Sequence, residues 1–453
     1  MKRWVIFLTR MFSHLSLISL NKRTPKFVVL IALSFFLFSS PDATAEKVKN
    51  IIFMIGDGMG YNHLHLTQEL SQKKLFMFTL PHQGIVFTAS ADNPVTDSAA
   101  AATALATGYK TTNHTLGKDA QGKDQKTILE ILKGRGLKTG LVTTTDITDA
   151  TPAGFAAHVH NRKEKLKIAE WYLKNHVDLL LGGGKKHFLD LTPQFKKDQY
   201  LLVYTPAELS ALHRLQGKKL LGLFHPSDLN YEMDREEIPE MKNEPPLSTM
   251  AQKALELLAP SPKGFFLMIE GGRIDHAAHA LDMATLSKEI LEFDKAIQAV
   301  YQFSKKRKDT LLIITADHET AGLSMPETTD YAYLNSQTIS FNQMVRGFKK
   351  ESITQVLSHY AKLTPTQEEI NMIEQSKDLE VHERARVLGS LVSKKAGLTT
   401  LSLDMFKVGN THGHTSSPVP IFSFGPQAEV FQGGQDNTDI PKKILRIIHA
   451  PSH

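Results

Sequence analysis

The 453-residue chain contains no cysteine. That excludes disulfides and all thiolate chemistry, and leaves stability to a core that a chain of this length can readily build. Long hydrophobic runs are missing too. The stretch "FVVLIALSFFLF", Phe27–Phe38, spans 12 residues, short of the roughly 20 that a membrane-crossing helix needs. Basic residues precede it and "SSPDATA" follows it. A basic start, a short apolar run and an A-x-A ending read as a secretory signal peptide over residues 1–45, cleaved after Ala45, with an uncleaved anchor as the alternative. Nor is there a surplus of one charge. The net charge is +6, of which the leader's six basic residues and one Asp supply +5, leaving +1 for residues 46–453. A nearly neutral remainder gives no electrostatic case for nucleic acid. The expectation is an exported protein, periplasmic or secreted, with no nucleic-acid-specific binding and no membrane attachment after leader cleavage.

What is present is a regular alternation. Apolar runs occur at "NIIFMI" (Asn50–Ile55), "TGLVTTT" (Thr139–Thr145), "VDLLL" (Val177–Leu181), "GFFLMI" (Gly264–Ile269), "TLLIIT" (Thr310–Thr315) and "PVPIFSFG" (Pro418–Gly425). Strands that are apolar on both sides suit a sheet covered on both faces. Helical patterns lie between them, as in "LSTMAQKALELL" (Leu247–Leu258) and in Leu286, Ile290, Phe293, Ile297 and Val300 at three- to four-residue spacing. The order predicts an α/β fold with helices packed on a mainly parallel sheet. Residues 182–244 read as loop-rich. Residues 326–406 read as a helical insertion, with a capping signal before the amphipathic run in "TPTQEEINMIEQS".

Acidic residues fall just past the ends of four predicted strands: Asp57 in "GDGMG", Asp149 in "DITDATPAG", Glu270 after "GFFLMI" and Asp317 in "ADHET". In a parallel α/β sheet that edge is where ligands bind. Each motif alone is ordinary turn or surface chemistry. Together they would repel by roughly 4 kcal/mol per pair at 4 Å and an effective dielectric near 20, so the cluster calls for divalent cations. Histidine with carboxylate suits zinc, and oxygen ligands alone suit magnesium. In "GGRIDHAAHA", Asp275 and His279 are four apart and share a helical face, and with a further histidine they make one zinc site. Asp317 and His318 begin a second, Glu270 and Thr151 offer an oxygen-only site, and Asp57 has two oxygens with which to bridge.

A nucleophile candidate lies in "DNPVTDSAAAATALATG". The alanine-rich run reads as a buried helix starting near Ser98, where a hydroxyl meets free N–H groups suited to phosphate. A plain helix cap by Asp97 or Ser98 is the bland alternative. Arg162, closing "AAHVHNR", has the guanidinium fork that holds two phosphate oxygens.

The motifs "IIFMIGDGMG", "DSAAAATALATGYKT", "DATPAGFAAHVHNR", "FFLMIEGGRIDHAAHA", "TADHET" and "HTSSPVPIFSFGP" together resemble the metal-dependent alkaline phosphatases, in that family's order from Ile51 to Pro426. The resemblance implies a nonspecific phosphomonoesterase acting on small phosphate monoesters through a phosphoserine, with two Zn2+ and one Mg2+. It implies Ser98 as nucleophile and Arg162 as phosphate ligand. It assigns Asp275, His279 and His414 to the first zinc and Asp57, Ser98, Asp317 and His318 to the second. Asp57, Thr151 and Glu270 would surround magnesium, with Asp149 acting through water. The implied fold is a three-layer α/β/α sandwich, usually a homodimer, here over residues 46–453. Two histidines compete in "GNTHGHTSS", and His414 rather than His412 has the family's spacing. His276 is left over; with Asp149 it mixes bacterial and vertebrate patterns, and the expected role is tuning through water or Asp149. A phosphodiesterase, a sulfatase or a non-catalytic metal-binding protein are the rival readings; Ser98, Arg162 and Glu270 together argue against them.

Overall fold

The apolar runs Asn50–Ile55, Thr139–Thr145, Val177–Leu181, Gly264–Ile269 and Thr310–Thr315 are buried at every position. In the computed structural model, which describes residues 47–449, the strands are β1 (Asn50–Gly56), β2 (His82–Phe87), β3 (Lys138–Asp146), β4 (Leu179–Gly183), β5 (Tyr200–Val203), β6 (Lys219–Leu223), β7 (Phe265–Gly271), β8 (Thr310–Ala316), β9 (Glu319–Thr320), β10 (His414–Thr415), β11 (Val419–Phe424) and β12 (Gly433–Asp436). Ten of them form one sheet in the order β12-β2-β11-β8-β1-β7-β3-β4-β6-β5. All its ladders are parallel except the two that β11 makes with β8 and β2. β9 and β10 form a separate antiparallel pair.

Successive side chains of a strand point to opposite faces. β1, β4, β7 and β8 are buried at every position, so both faces are covered, as the three-layer α/β/α expectation requires. The Leu247–Leu258 and Met283–Lys305 helices pack on one another, and the second buries Leu286, Ile290, Phe293, Ile297 and Val300 completely. Between β9 and β10 the chain forms the helices Tyr331–Leu334, Phe341–Gly347, Ile353–Ala361, Gln367–Gln375 and Val381–Lys395. The capping signal is real: Glu369 N donates to Thr366 Oγ1 at 3.3 Å, and Thr366 N donates to Glu369 Oε2 at 2.7 Å.

The loop-rich reading of residues 182–244 is corrected. That stretch contributes β5 and β6 at one end of the sheet. "YLLV" and "KLLGL" are too short to establish a period against their polar flanks. β2 and β12 extend the opposite end and carry glycine, which weakens their strand signal. The expected leader lies outside the described residues. Among the described residues no helix is long and apolar enough to cross a membrane.

The long helix rests directly on the end of β7, since a Cβ on Gly271 would sit 2.9 Å from Phe293 Cδ2. Phe293→Ala should therefore leave a cavity under the site and cost about 3–5 kcal/mol, read as a lower urea midpoint. Lys295→Ala, on the exposed side of the same helix, should stay within about 0.5 kcal/mol.

Candidate active site

Strand register brings the acids together. Ile55 of β1 lies opposite Glu270 of β7 and Thr315 of β8, and Gly56 opposite Gly271 and Ala316. The residues that follow β1 and β8 are Asp57 and Asp317, so three neighbouring strands deliver carboxylates to one C-terminal edge. β3 pairs with β7 up to Thr143, opposite Glu270. Its register with β4 then shifts between Val142 and Asp146. Asp146 Oδ1 accepts from Thr148 N and Thr148 Oγ1, both at 2.8 Å, closing a turn that presents Asp149 and Thr151. The tight turn after β1 needs glycine. Gly58 has φ +68°, and a Cβ there would lie 2.6 Å from Asp275 Oδ1.

Two groups of ligand-type atoms adjoin. Those of Asp275, His318 and His414 lie within 4.8 Å of one another, and so do those of Asp57, Asp317 and His318. His279 Nε2 is 3.3 Å from Asp275 Oδ2 and 3.0 Å from His414 Nε2. His414 Nδ1 faces the Thr96 carbonyl at 2.9 Å. A carbonyl only accepts, so the proton sits on Nδ1 and the Nε2 lone pair points into the cluster. His318 Nε2 is 3.3 Å from Asp57 Oδ1, 3.3 Å from Asp317 Oδ2 and 3.1 Å from Ser98 Oγ. Asp57 Oδ1 and Asp317 Oδ2 are buried without a hydrogen-bond partner. Orphaned carboxylate oxygens beside imidazole nitrogens fit divalent cations, and this nitrogen–oxygen donor set is of the zinc type.

The third group is all oxygen. Glu270 Oε2 accepts from Thr143 Oγ1, and from Thr145 Oγ1 at 3.4 Å. Thr151 Oγ1 lies 3.5 Å from Asp57 Oδ2. Burial first, and then the Asp149 and Asp317 charges, push Glu270 up to about 8. Burial and the charges of Asp317, Asp275 and Glu270 likewise hold Asp57 well above its ordinary value. For Asp275 burial pulls the same way, but His279, His414 and His318 outweigh it and keep the carboxyl ionised.

Beside this cluster the helix Ser98–Thr107 begins. Asp97 is its cap, with Oδ1 accepting from Ala100 N at 3.0 Å, so Ser98 occupies the first helical position with its Oγ free for chemistry. Asp97 Oδ2 also accepts from Arg162 Nη1 at 3.1 Å, and Asp149 Oδ1 lies 3.5 Å from Arg162 Nη2. The guanidinium is thus held between two carboxylates. Burial alone would raise the Asp149 carboxyl, but Lys165, Arg162 and His276 hold it well below the usual range.

Of the two competing histidines, His414 joins the cluster, while His412 has its Nδ1 3.3 Å from the Phe406 carbonyl. His276 Nδ1 accepts from Arg273 Nη1 at 2.6 Å and lies 3.8 Å from Asp228 Oδ2; burial and the Arg273 charge hold the imidazole below its ordinary value. Lys165, which sequence reasoning passed over, donates to Asp149 Oδ1 at 2.8 Å. Thr320, also passed over, donates to Asp275 Oδ1 at 2.6 Å. Lys165 sits three residues after Arg162 in a lysine-rich stretch, with nothing to distinguish it from its neighbours. Thr320 had a signal, since it ends the quoted "ADHET" motif. Ser98, Arg162, Asp275, His279 and His414 line a cleft of about 990 Å³, which Arg346, His382 and Arg386 line as well.

The alkaline phosphatase family model matches residues 48–450. The chain is 34% identical over 432 residues to alkaline phosphatase 4 of Bacillus subtilis (strain 168), covering 89% of each. Among solved structures it is similar to the cold-active alkaline phosphatase of a psychrophilic Shewanella, at 30% identity and TM-score 0.79, covering 88% of this chain and 100% of that one. It is also similar to a variant of the alkaline phosphatase from the Antarctic bacterium TAB5, solved with Mg bound, at 26% identity and TM-score 0.66, covering 89% and 99%. Acids and imidazoles at the sheet edge, a helix-borne serine and these likenesses agree: the chain belongs to the alkaline phosphatase family and hydrolyses phosphate monoesters.

Proposed function

We propose that Ser98 is the nucleophile of this hydrolysis and that two Zn2+ and one Mg2+ complete the site. The observation that carries the reading is the meeting of Ser98 Oγ with His318 Nε2, beside the orphaned oxygens of Asp57 and Asp317. Asp275, His279 and His414 would hold the first zinc. Asp57, Asp317, His318 and Ser98 would hold the second, and Asp57, Thr151 and Glu270 the magnesium, with Asp149 reaching it through water. When bound, the metals offset the acids and supply Lewis acidity on the two sides of the phosphorus.

The chain's own groups do the positioning. Arg162, braced by Asp97, takes two phosphate oxygens on its fork. The N–H groups at the start of the Ser98–Thr107 helix favour the same anion. Ser98 Oγ attacks phosphorus in line with the ester oxygen, which leaves on the side of Asp275, His279 and His414. The serine–phosphate bond forms as the ester bond breaks, and the proton lost from Ser98 ends on the departing alcohol. Water then attacks the phosphoserine, releasing phosphate and returning the proton to Ser98. Two in-line displacements give net retention at phosphorus and transfer to added alcohols. His276, whose imidazole burial and the neighbouring Arg273 hold below its ordinary value, would tune phosphate affinity and pH optimum through water or Asp149. We further infer an exported homodimer whose leader ends at Ala45; the family membership is what supports this.

Ser98→Ala should lose at least about a thousandfold in kcat on p-nitrophenyl phosphate and all phosphoserine by mass spectrometry, while keeping its metals. Phosphoserine persisting in that variant would reject the assignment. Elemental analysis of the active protein should give two zinc and one magnesium per chain, and chelation should abolish turnover; a single metal per chain contradicts the three-site reading. The acids give a pH signature in the chelated protein. Folded Glu270 keeps its proton to about pH 8, whereas its ordinary value is 4.5. Between these limits the folded state binds the extra proton, so stability falls as pH rises. The melting temperature of the chelated protein should drop across that window, Glu270→Gln should lessen the slope, and added Zn2+ and Mg2+ should reverse it.

A further inference from the structure

The helix Val381–Lys395 brings Arg386 to the wall of the active-site cleft. Its Nε donates to the backbone carbonyl of His279 at 2.7 Å. Its guanidinium carbon lies 4.5 Å from the centroid of the buried Phe406 ring. These two contacts fix the plane of the fork. They leave Nη1 and Nη2 with no recorded hydrogen bond or ion pair among the described residues. Glu383, one turn earlier on the same helix, turns Oε2 to the Glu380 backbone N–H at 3.2 Å and makes no ion pair with Arg386. Arg386 is half-buried. The guanidinium is partly desolvated, and its two terminal donors stay available to an anion. The other arginine on this wall, Arg346, is more exposed and adds charge of the same sign.

Location defines what that anion belongs to. The phosphate side of the cleft is taken by Arg162, whose partners are Asp97 and Asp149. Arg386 is instead tied to His279, one of the three residues on the side from which the ester oxygen leaves. We propose that Arg386 is a subsite for an anion on the leaving group, so that the favoured substrates are phosphate monoesters whose alcohol portion carries a carboxylate. The two free donors at the end of the fork match the two oxygens of a carboxylate. This proposal rests on the phosphomonoesterase reading and on the sidedness assigned there. It also gives the helical insertion a part in substrate choice.

The test compares two esters alike except for the anion, glycerol 3-phosphate and 3-phosphoglycerate, on the fully metallated full chain at low salt. The wild type should show kcat/KM at least about fivefold higher for 3-phosphoglycerate, a ratio expected of one charge-assisted contact, and that ratio should shrink as salt is added. Arg386→Gln should bring the ratio close to one, and Arg386→Lys should keep part of it. A merely structural role through the His279 carbonyl would lower both esters alike and leave the ratio unmoved, which overturns the subsite. Should Arg386→Gln fail to fold, the wild-type ratio decides alone, and a value near one rejects the proposal. Equal turnover of both esters removes the subsite and leaves the phosphatase standing, whereas turnover of neither removes both.

Discussion

Four carboxylates, Asp57, Glu270, Asp275 and Asp317, are buried at one edge of the sheet, and their mutual repulsion is the constraint that the rest of the site answers to. Water screens such charges poorly once they are buried. The protein alone can answer in only two ways. It protonates some acids, as the raised values of Asp57, Asp317 and Glu270 express. It surrounds others with imidazoles, which help keep the Asp275 carboxyl well below its ordinary value despite burial. Both answers leave Asp57 Oδ1 and Asp317 Oδ2 without partners. Divalent cations answer the whole problem at once. On this view the metals are the counter-charge that lets the sheet edge exist in ionised form, and the catalytic use of their Lewis acidity follows from that.

The sheet is what makes the repulsion unavoidable. β1, β7 and β8 are parallel and in register, so their ends arrive at one level within two strand spacings. A register slip of one residue would turn every side chain to the other face and scatter the acids. The apolar runs therefore do more than fill a core. Completely buried residues such as Ile55, Ile269 and Ile314 hold the register that places Asp57, Glu270 and Asp317. Remote packing and site geometry are thus one problem.

This explains which parts were legible from sequence. Parallel strands announce themselves as apolar runs, and a carboxylate at the end of each run is visible in one dimension. Asp275 and His279 were readable because a helix has a fixed period. The helix at Ser98 was readable because alanine dominates it. Contacts that depend on distant elements were not. Lys165 reaches Asp149 across 16 positions, and Arg386 reaches His279 across 107; no local period marks either. The short end strands β5 and β6 stayed hidden because four or five residues carry too little pattern. His276 shows the limit within a single motif. Its spacing placed it off the metal-binding face, but its actual partner, Arg273, three residues earlier, became evident only in three dimensions.

Asp97 shows how closely local structure and function are joined here. Its Oδ1 takes the Ala100 N–H and the His114 N–H, both at 3.0 Å, while its Oδ2 takes Arg162 at 3.1 Å. As a cap it is worth on the order of 1 kcal/mol to the helix, an effect an asparagine would largely reproduce. Asparagine would not supply the full charge that braces a guanidinium. The cap also fixes where the helix starts, which puts Ser98 in the first turn with its hydroxyl facing His318 rather than spent on a backbone N–H. One carboxylate therefore sets the position of the serine and the orientation of the arginine together. The bland reading of Asp97 as a helix cap is correct as far as it goes. The same carboxylate that caps the helix at Ser98 also holds the Arg162 guanidinium.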